Sequence, residues 1–151
     1  KIFEVGCFEG MLLRHLINQG YYAFGCEVNP VVAEMAISEL GVPIINKPVE
    51  YVQINDESVD RIFSYHTFEH LINPRYVLEK CFKMLKNGGK ILINVPVDCN
   101  DFYITDHYHF FTTQSILYLM NLYFKNIKYE KINFLTANVE LYDSIFIWGE
   151  K

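Results

Sequence analysis

The stretch Ile2-Phe-Glu-Val-Gly6-Cys-Phe-Glu-Gly10 decides the fold. It is a short apolar run closed by a glycine, then a turn that ends on a second glycine. Met11–Asn18 follows with Leu12, Leu13, Leu16 and Ile17 on one face, the spacing of an amphipathic helix. A glycine turn between a strand and a helix lets a ligand approach the backbone at a helix N-terminus. Gly20 stops the helix, and the next apolar run, Tyr22–Val28, carries Glu27 near its end. An acid about 20 residues beyond such a turn accepts hydrogen bonds from a ribose diol. Gly6, Gly10 and Glu27 together indicate a cofactor that contains adenosine.

The rest of the chain repeats the alternation. Asn29-Pro30 opens a helix expected over Val31–Leu40, and Gly41 ends it. Pro43–Asn46 and Val59–Tyr65 are expected strands. Asn73-Pro74 starts a long helix to about Leu85, with Asn87-Gly88-Gly89 as its terminator. Lys90–Val97 is the fifth strand. After the polar, aromatic segment Asp98–Phe111, Thr112 or Thr113 caps a helix to about Tyr123. Two strands near Phe124–Ile132 and Asp143–Gly149 are joined too closely for a crossover helix, so they pair antiparallel. This is an α/β pattern with a mainly parallel sheet covered on both faces.

Composition narrows the function classes. The chain has 151 residues, one domain's worth over residues 1–151. Its net charge of -5, without a run of Lys/Arg, argues against a nucleic-acid partner, which needs a basic face. No apolar stretch reaches the roughly 18 residues of a membrane span. Cys7, Cys26, Cys81 and Cys99 form no Cys-x-x-Cys pair, which suggests reduced thiols and a cytoplasmic protein. The chain opens without Met, directly on a strand, so a missing N-terminal helical segment is expected.

The first turn discriminates among cofactors. A dinucleotide fingerprint would need glycine where Phe8 and Met11 stand, and no Lys-Ser/Thr follows for a phosphate loop. Phe8 would crowd a pyrophosphate, and Glu9 would repel it. Glu4 and Glu9 suit the sulfonium and ammonium of S-adenosylmethionine.

With these residues in hand, the chain resembles the class I S-adenosylmethionine-dependent methyltransferases, close to the small-molecule enzymes of the ubiquinone-biosynthesis type. The matching pieces run in order: Glu4–Gly10, Gly25-Cys-Glu27-Val-Asn-Pro30, Val59–Leu71 with Asn73-Pro74, Leu85–Pro96, and His109-Phe-Phe-Thr112. The resemblance implies a Rossmann-like doubly wound sheet of seven strands, order 3-2-1-4-5-7-6, with strand seven antiparallel. It implies methyl transfer to a small-molecule acceptor. It also implies that Glu4, Gly6, Cys7 and Gly10 shape the methionine and ribose site, with Glu27 and Val28 at the ribose. Pro48 and Val49 would lie near the adenine, and Tyr65 and His66 beside the methionine. Phe8 departs from the family, which usually has glycine there.

Histidines supply the candidate acid–base chemistry. His66/His70 and His107/His109 follow strands four and five, both of which open at the ligand edge of this fold. Imidazole titrates near working pH, so His109, with His107 second, is the expected general base. Structural roles for both histidines stay open. Glu69-His70 also resembles part of the metal set of an RNA ribose methyltransferase group. That group has glutamate where His66 stands, and RNA suits a net charge of -5 poorly, so no metal is expected. Phe102, Tyr103 and Tyr108 either line the acceptor site or mark where a preceding segment docks. A non-catalytic module with this fold is the main alternative, and a nicotinamide-dependent oxidoreductase is a third.

Overall fold

The computed structural model describes residues 1–98, 106–135 and 141–151. Phe102, Tyr103 and Cys99 lie outside the described residues. The strands are β1 Ile2–Val5, β2 Ala23–Cys26, β3 Ile44–Ile45, β4 Val59–Tyr65, β5 Leu85–Val97, β6 Lys125–Leu135 and β7 Leu141–Glu150. The helices are α1 Met11–Asn18, α2 Pro30–Met35, α3 Pro74–Met84 and α4 Thr113–Asn121. One seven-stranded sheet runs β3-β2-β1-β4-β5-β7-β6. β7 is antiparallel to both β5 and β6, and the other pairs are parallel. The expected order and the antiparallel last strand are both present.

Local chemistry explains where the helices begin. The Asn29 side chain accepts from the N–H groups of Val31 and Val32, with Pro30 at the first helical position. Asn73 does the same for Tyr76, again beside a proline. Thr112 and Ser115 form a reciprocal capping box. Alternation along β1 then sorts the two cores. Phe3 and Val5 join Leu78, Met84, Ile116 and Met120 under α3 and α4. Ile2 joins Leu13 and Ala36 under α1 and α2. Each fully buried large side chain contributes about 1.5–3 kcal/mol.

Two boundaries differ from expectation. α2 gives way to a single π turn over Ala36–Leu40 before Gly41. Asn87-Gly88-Gly89 does not end α3. The backbone leaves the helix at Leu85 (φ -70, ψ 137), whose side chain is fully buried, and the glycines lie within β5. Gly88 there donates to the Lys151 carbonyl, and Lys151 donates back to Gly89. Sheet pairing and a buried leucine override the local stop signal.

The strand order reverses at β1, whose neighbours are β2 on one side and β4 on the other. Ligands of doubly wound sheets bind at such a point, beyond the carboxyl ends of the strands.

Candidate cofactor site

The loops after β1, β2 and β4 enclose a cavity of about 800 Å³ at this reversal. That lies within the 300–1,000 Å³ of typical ligand sites. Of the residues the sequence singled out for the cofactor, Gly6, Glu27, Val28, Pro48, Val49, Tyr65 and His66 border it. Glu4, Cys7, Gly10, His107 and His109 do not.

Glu27 sits just past β2 and is 8% exposed. Its Oε2 accepts the Phe8 N–H at 3.0 Å and its Oε1 accepts the Asn29 N–H at 2.8 Å. Each carboxylate oxygen keeps a further acceptor site. The pair is therefore fixed in place and still able to take both hydroxyls of a ribose.

Gly6 (φ 69) is required twice over. It adopts a left-handed backbone, and a Cβ there would collide with the Thr67 side chain. The Thr67 hydroxyl donates to the carbonyls of Val5 and Tyr65, both at 3.2 Å, which ties the β4 loop to the β1 loop. Phe8 also adopts a left-handed backbone (φ 46), in the place where the family usually has glycine. The residue is 61% exposed at the cavity rim, and its N–H holds Glu27.

The expected residues outside the cavity support the loop from beneath. Gly10 (φ 72) caps α1 and leaves no room for a Cβ beside Val42. Cys7 packs under Gly25, and burial pushes its thiol well above the ordinary range. Cys7, Cys26 and Cys81 are free and buried. Glu4 is buried too, and desolvation raises its carboxyl from 4.5 to about 8. At neutral pH it therefore brings little negative charge to the loop. Glu9 stands exposed in solvent.

Behind the ribose end lies a second group. His66 (φ 47) directs Nδ1 to Oε1 of the fully buried Glu69 at 3.1 Å. His70 Nδ1 lies 2.9 Å from the Asp106 carbonyl. His70 and His107 meet edge to face with ring centroids 4.7 Å apart. Burial lowers the His107 pKa. His109 stacks on Phe111 and turns Nε2 toward the Ile72 carbonyl at 3.4 Å, an arrangement that packs the loop. Tyr108 and Asp106 border the cavity. Lys47, Thr67 and Asp106 were not anticipated as lining. Thr67 had a legible signal, its place directly after His66 at the end of β4.

Sheet order, glycine turn and the buried carboxylate just past β2 together mark a doubly wound domain of the kind that takes an adenosine-type cofactor. Residues 3–93 match the methyltransferase domain family. The chain belongs to that family and is a class I S-adenosylmethionine-dependent methyltransferase domain. It is 28% identical over 102 residues to the ubiquinone biosynthesis O-methyltransferase of Pseudomonas fluorescens, covering 62% of this chain and 43% of that protein. The chain thus spans under half the length of this relative. Among solved structures, an S-adenosylmethionine-dependent methyltransferase from Methanosarcina mazei superposes with a TM-score of 0.83 at 16% identity, over 99% of this chain and 91% of that one. Phosphoethanolamine N-methyltransferase 2 of Haemonchus contortus, in complex with phosphomonomethylethanolamine and S-adenosylhomocysteine, gives 0.86 at 14% identity over 99% and 48%. Among the described residues, no helix is long and apolar enough to cross a membrane.

Proposed function

We propose that the protein moves a methyl group from S-adenosylmethionine to an oxygen of a small-molecule acceptor. The observation that carries this is Glu27, pinned by two backbone N–H groups at the mouth of a cavity that continues to His66 and His70. The relatives named as O-methyltransferases favour oxygen as the acceptor atom. S-adenosylmethionine supplies a methyl already activated by its sulfonium charge.

The chain's own residues bind and position. Glu27 holds the ribose hydroxyls, Pro48 and Val49 offer an apolar edge to the adenine, and Gly6 lets the backbone come close. Tyr65 and His66 border the opposite end, where an acceptor would enter. Because it borders the cavity and Glu69 orients its ring, His66 is favoured over His109 as the group that takes the acceptor proton; its Nε2 is buried, so this role requires the ring to turn toward the acceptor on binding. Its left-handed backbone is a strained conformation of the kind that concentrates at functional sites. Catalysis of this kind rests on orientation and exclusion of water.

The test is a calorimetric titration of the full-length protein with S-adenosylhomocysteine, with a nicotinamide dinucleotide as control. Micromolar binding of the first alone, followed by methylation of hydroxylated acceptors, supports the proposal. Binding without turnover across an acceptor panel would favour the non-catalytic alternative. Binding of the dinucleotide would overturn the cofactor.

A further inference from the structure

Glu69 presents an unusual carboxylate. It is fully buried, and while Oε1 faces His66, Oε2 has no hydrogen-bond partner among the described residues. A buried carboxylate oxygen without a partner is costly, and such groups call for an explanation. Two imidazoles adjoin it. One donor atom from each of Glu69, His70 and His107 lies within 4.8 Å of the others.

The tautomer of His70 follows from its neighbour. A carbonyl oxygen only accepts, so His70 Nδ1 carries the proton shared with Asp106, and Nε2 is left with a lone pair. Metal-binding histidines have this second hydrogen bond almost without exception. His66 holds Glu69 in the same manner, through the oxygen that is not the orphan. The backbone is fixed as well. The N–H groups of Tyr108 and His109 both donate to the Glu69 carbonyl, at 2.9 and 3.0 Å, which clamps the loop bearing His107 onto the turn bearing Glu69 and His70.

We propose that Glu69 Oε2, His70 Nε2 and a ring nitrogen of His107 bind a divalent ion of the zinc type. Two histidines and one carboxylate with an open fourth position make a donor set typical of catalytic zinc. Ligands at about 2.0–2.2 Å stand roughly 3.4 Å apart around a tetrahedral ion, so donor atoms that lie within 4.8 Å of one another close by at most about 1.4 Å on binding. His70 borders the cavity, so the fourth position opens where an acceptor oxygen would sit. That last assignment rests on the methyl-transfer proposal. The ion site itself does not. Sequence alone led us to expect the two histidine groups to meet but no metal; what changes this is the fully buried Glu69 Oε2, unpartnered among the described residues and clustered with His70 and His107.

The experiment is a Co²⁺ titration of the metal-stripped full-length protein, read by its visible d–d absorption, with Zn²⁺ as competitor. One equivalent should bind at micromolar or tighter affinity and be displaced by Zn²⁺. His70→Ala and His107→Ala should each weaken binding by more than the roughly 10–100-fold of an outer-shell change. His15→Ala, exposed on α1, should bind as the parent does. S-adenosylhomocysteine affinity, measured on each variant, reports the fold and the cofactor site separately. Co²⁺ binding with no cofactor binding would keep this site and defeat the methyl-transfer proposal. Binding weaker than millimolar would overturn the site. So would parental binding by both histidine variants, or thiolate charge-transfer bands that place the ion on cysteine.

Discussion

The Phe8 backbone N–H donates to Glu27 Oε2 across 3.0 Å, so the first loop and the carboxylate beyond β2 are one structural unit. Glu27→Ala removes a charged acceptor at the cofactor and frees two backbone donors. A hydrogen bond to a charged group contributes about 1.5–3 kcal/mol, roughly 10–150-fold in affinity. S-adenosylhomocysteine binding should weaken by that much in calorimetry. The melting temperature should fall too, because Phe8 and Asn29 lose their acceptor. Glu27→Gln, with one carbonyl oxygen left, should fall between the two. Unchanged affinity in both variants would remove Glu27 from the cofactor site.

Phe8 holds a left-handed backbone with its ring largely in solvent. That conformation costs a residue with a side chain about 1–2 kcal/mol. Glycine escapes this but loses about 0.5–1 kcal/mol of entropy on folding. Phe8→Gly should therefore raise stability slightly, a gain of up to a few degrees in thermal unfolding. It should preserve S-adenosylhomocysteine binding, because the N–H to Glu27 remains. A marked loss of affinity would mean that the ring itself touches the ligand.

These two residues also mark what the sequence could disclose. The place of Glu27 at the cavity was legible because it follows from chain order: strand, glycine turn, helix, strand, acid. The sheet order was legible for the same reason, since parallel strands alternate with helices and the last two strands are too close for a crossover. Phe8 was not legible. Its residue type argues against a glycine position, whereas the structure uses only its N–H and turns the ring outward. Asn87-Gly88-Gly89 misled because Leu85 is drawn into the core before the glycines are reached. His109 and His107 share a loop, but packing against Ile72 and His70 takes both away from the cavity border. Such contacts between distant segments leave no periodic trace in the chain.

His66 and His109 can be separated by kinetics. If His66 takes the acceptor proton, His66→Gln should lower kcat by about 10²–10⁴ and leave S-adenosylhomocysteine affinity within a few-fold. His109→Gln should change stability more than kcat, because its ring packs on Phe111. The reverse pattern would return the base role to His109.

Glu4 predicts a pH slope in stability. Burial raises its carboxyl from 4.5 to about 8 in the folded protein. The unfolded chain releases that proton near 4.5, while the folded chain keeps it. Between those values the folded state holds more protons, so stability falls as pH rises. The contribution is complete below the unfolded value and lost once pH passes about 8. Denaturant unfolding at stepped pH should show this decline in the parent protein. Glu4→Gln, which does not titrate, should flatten it; an unchanged slope would assign the decline to other groups.

Gly6 and Thr67 give a test of how the two loops meet. Gly6→Ala places a Cβ against the Thr67 side chain and forces a left-handed alanine. The backbone term alone costs about 1–2 kcal/mol, and the collision adds to it. Thr67→Gly removes the atoms in the way but also the hydroxyl bonds to Val5 and Tyr65. Each single variant should therefore unfold at a lower temperature than the parent. The double variant should be more stable than the two losses added together, because the collision exists only when both side chains are present. Contacting residues show coupling of about 0.5–3 kcal/mol in such cycles. Strict additivity would mean that the loops shift apart to accept the added methyl group, and that the close approach at the strand reversal is not what demands glycine there.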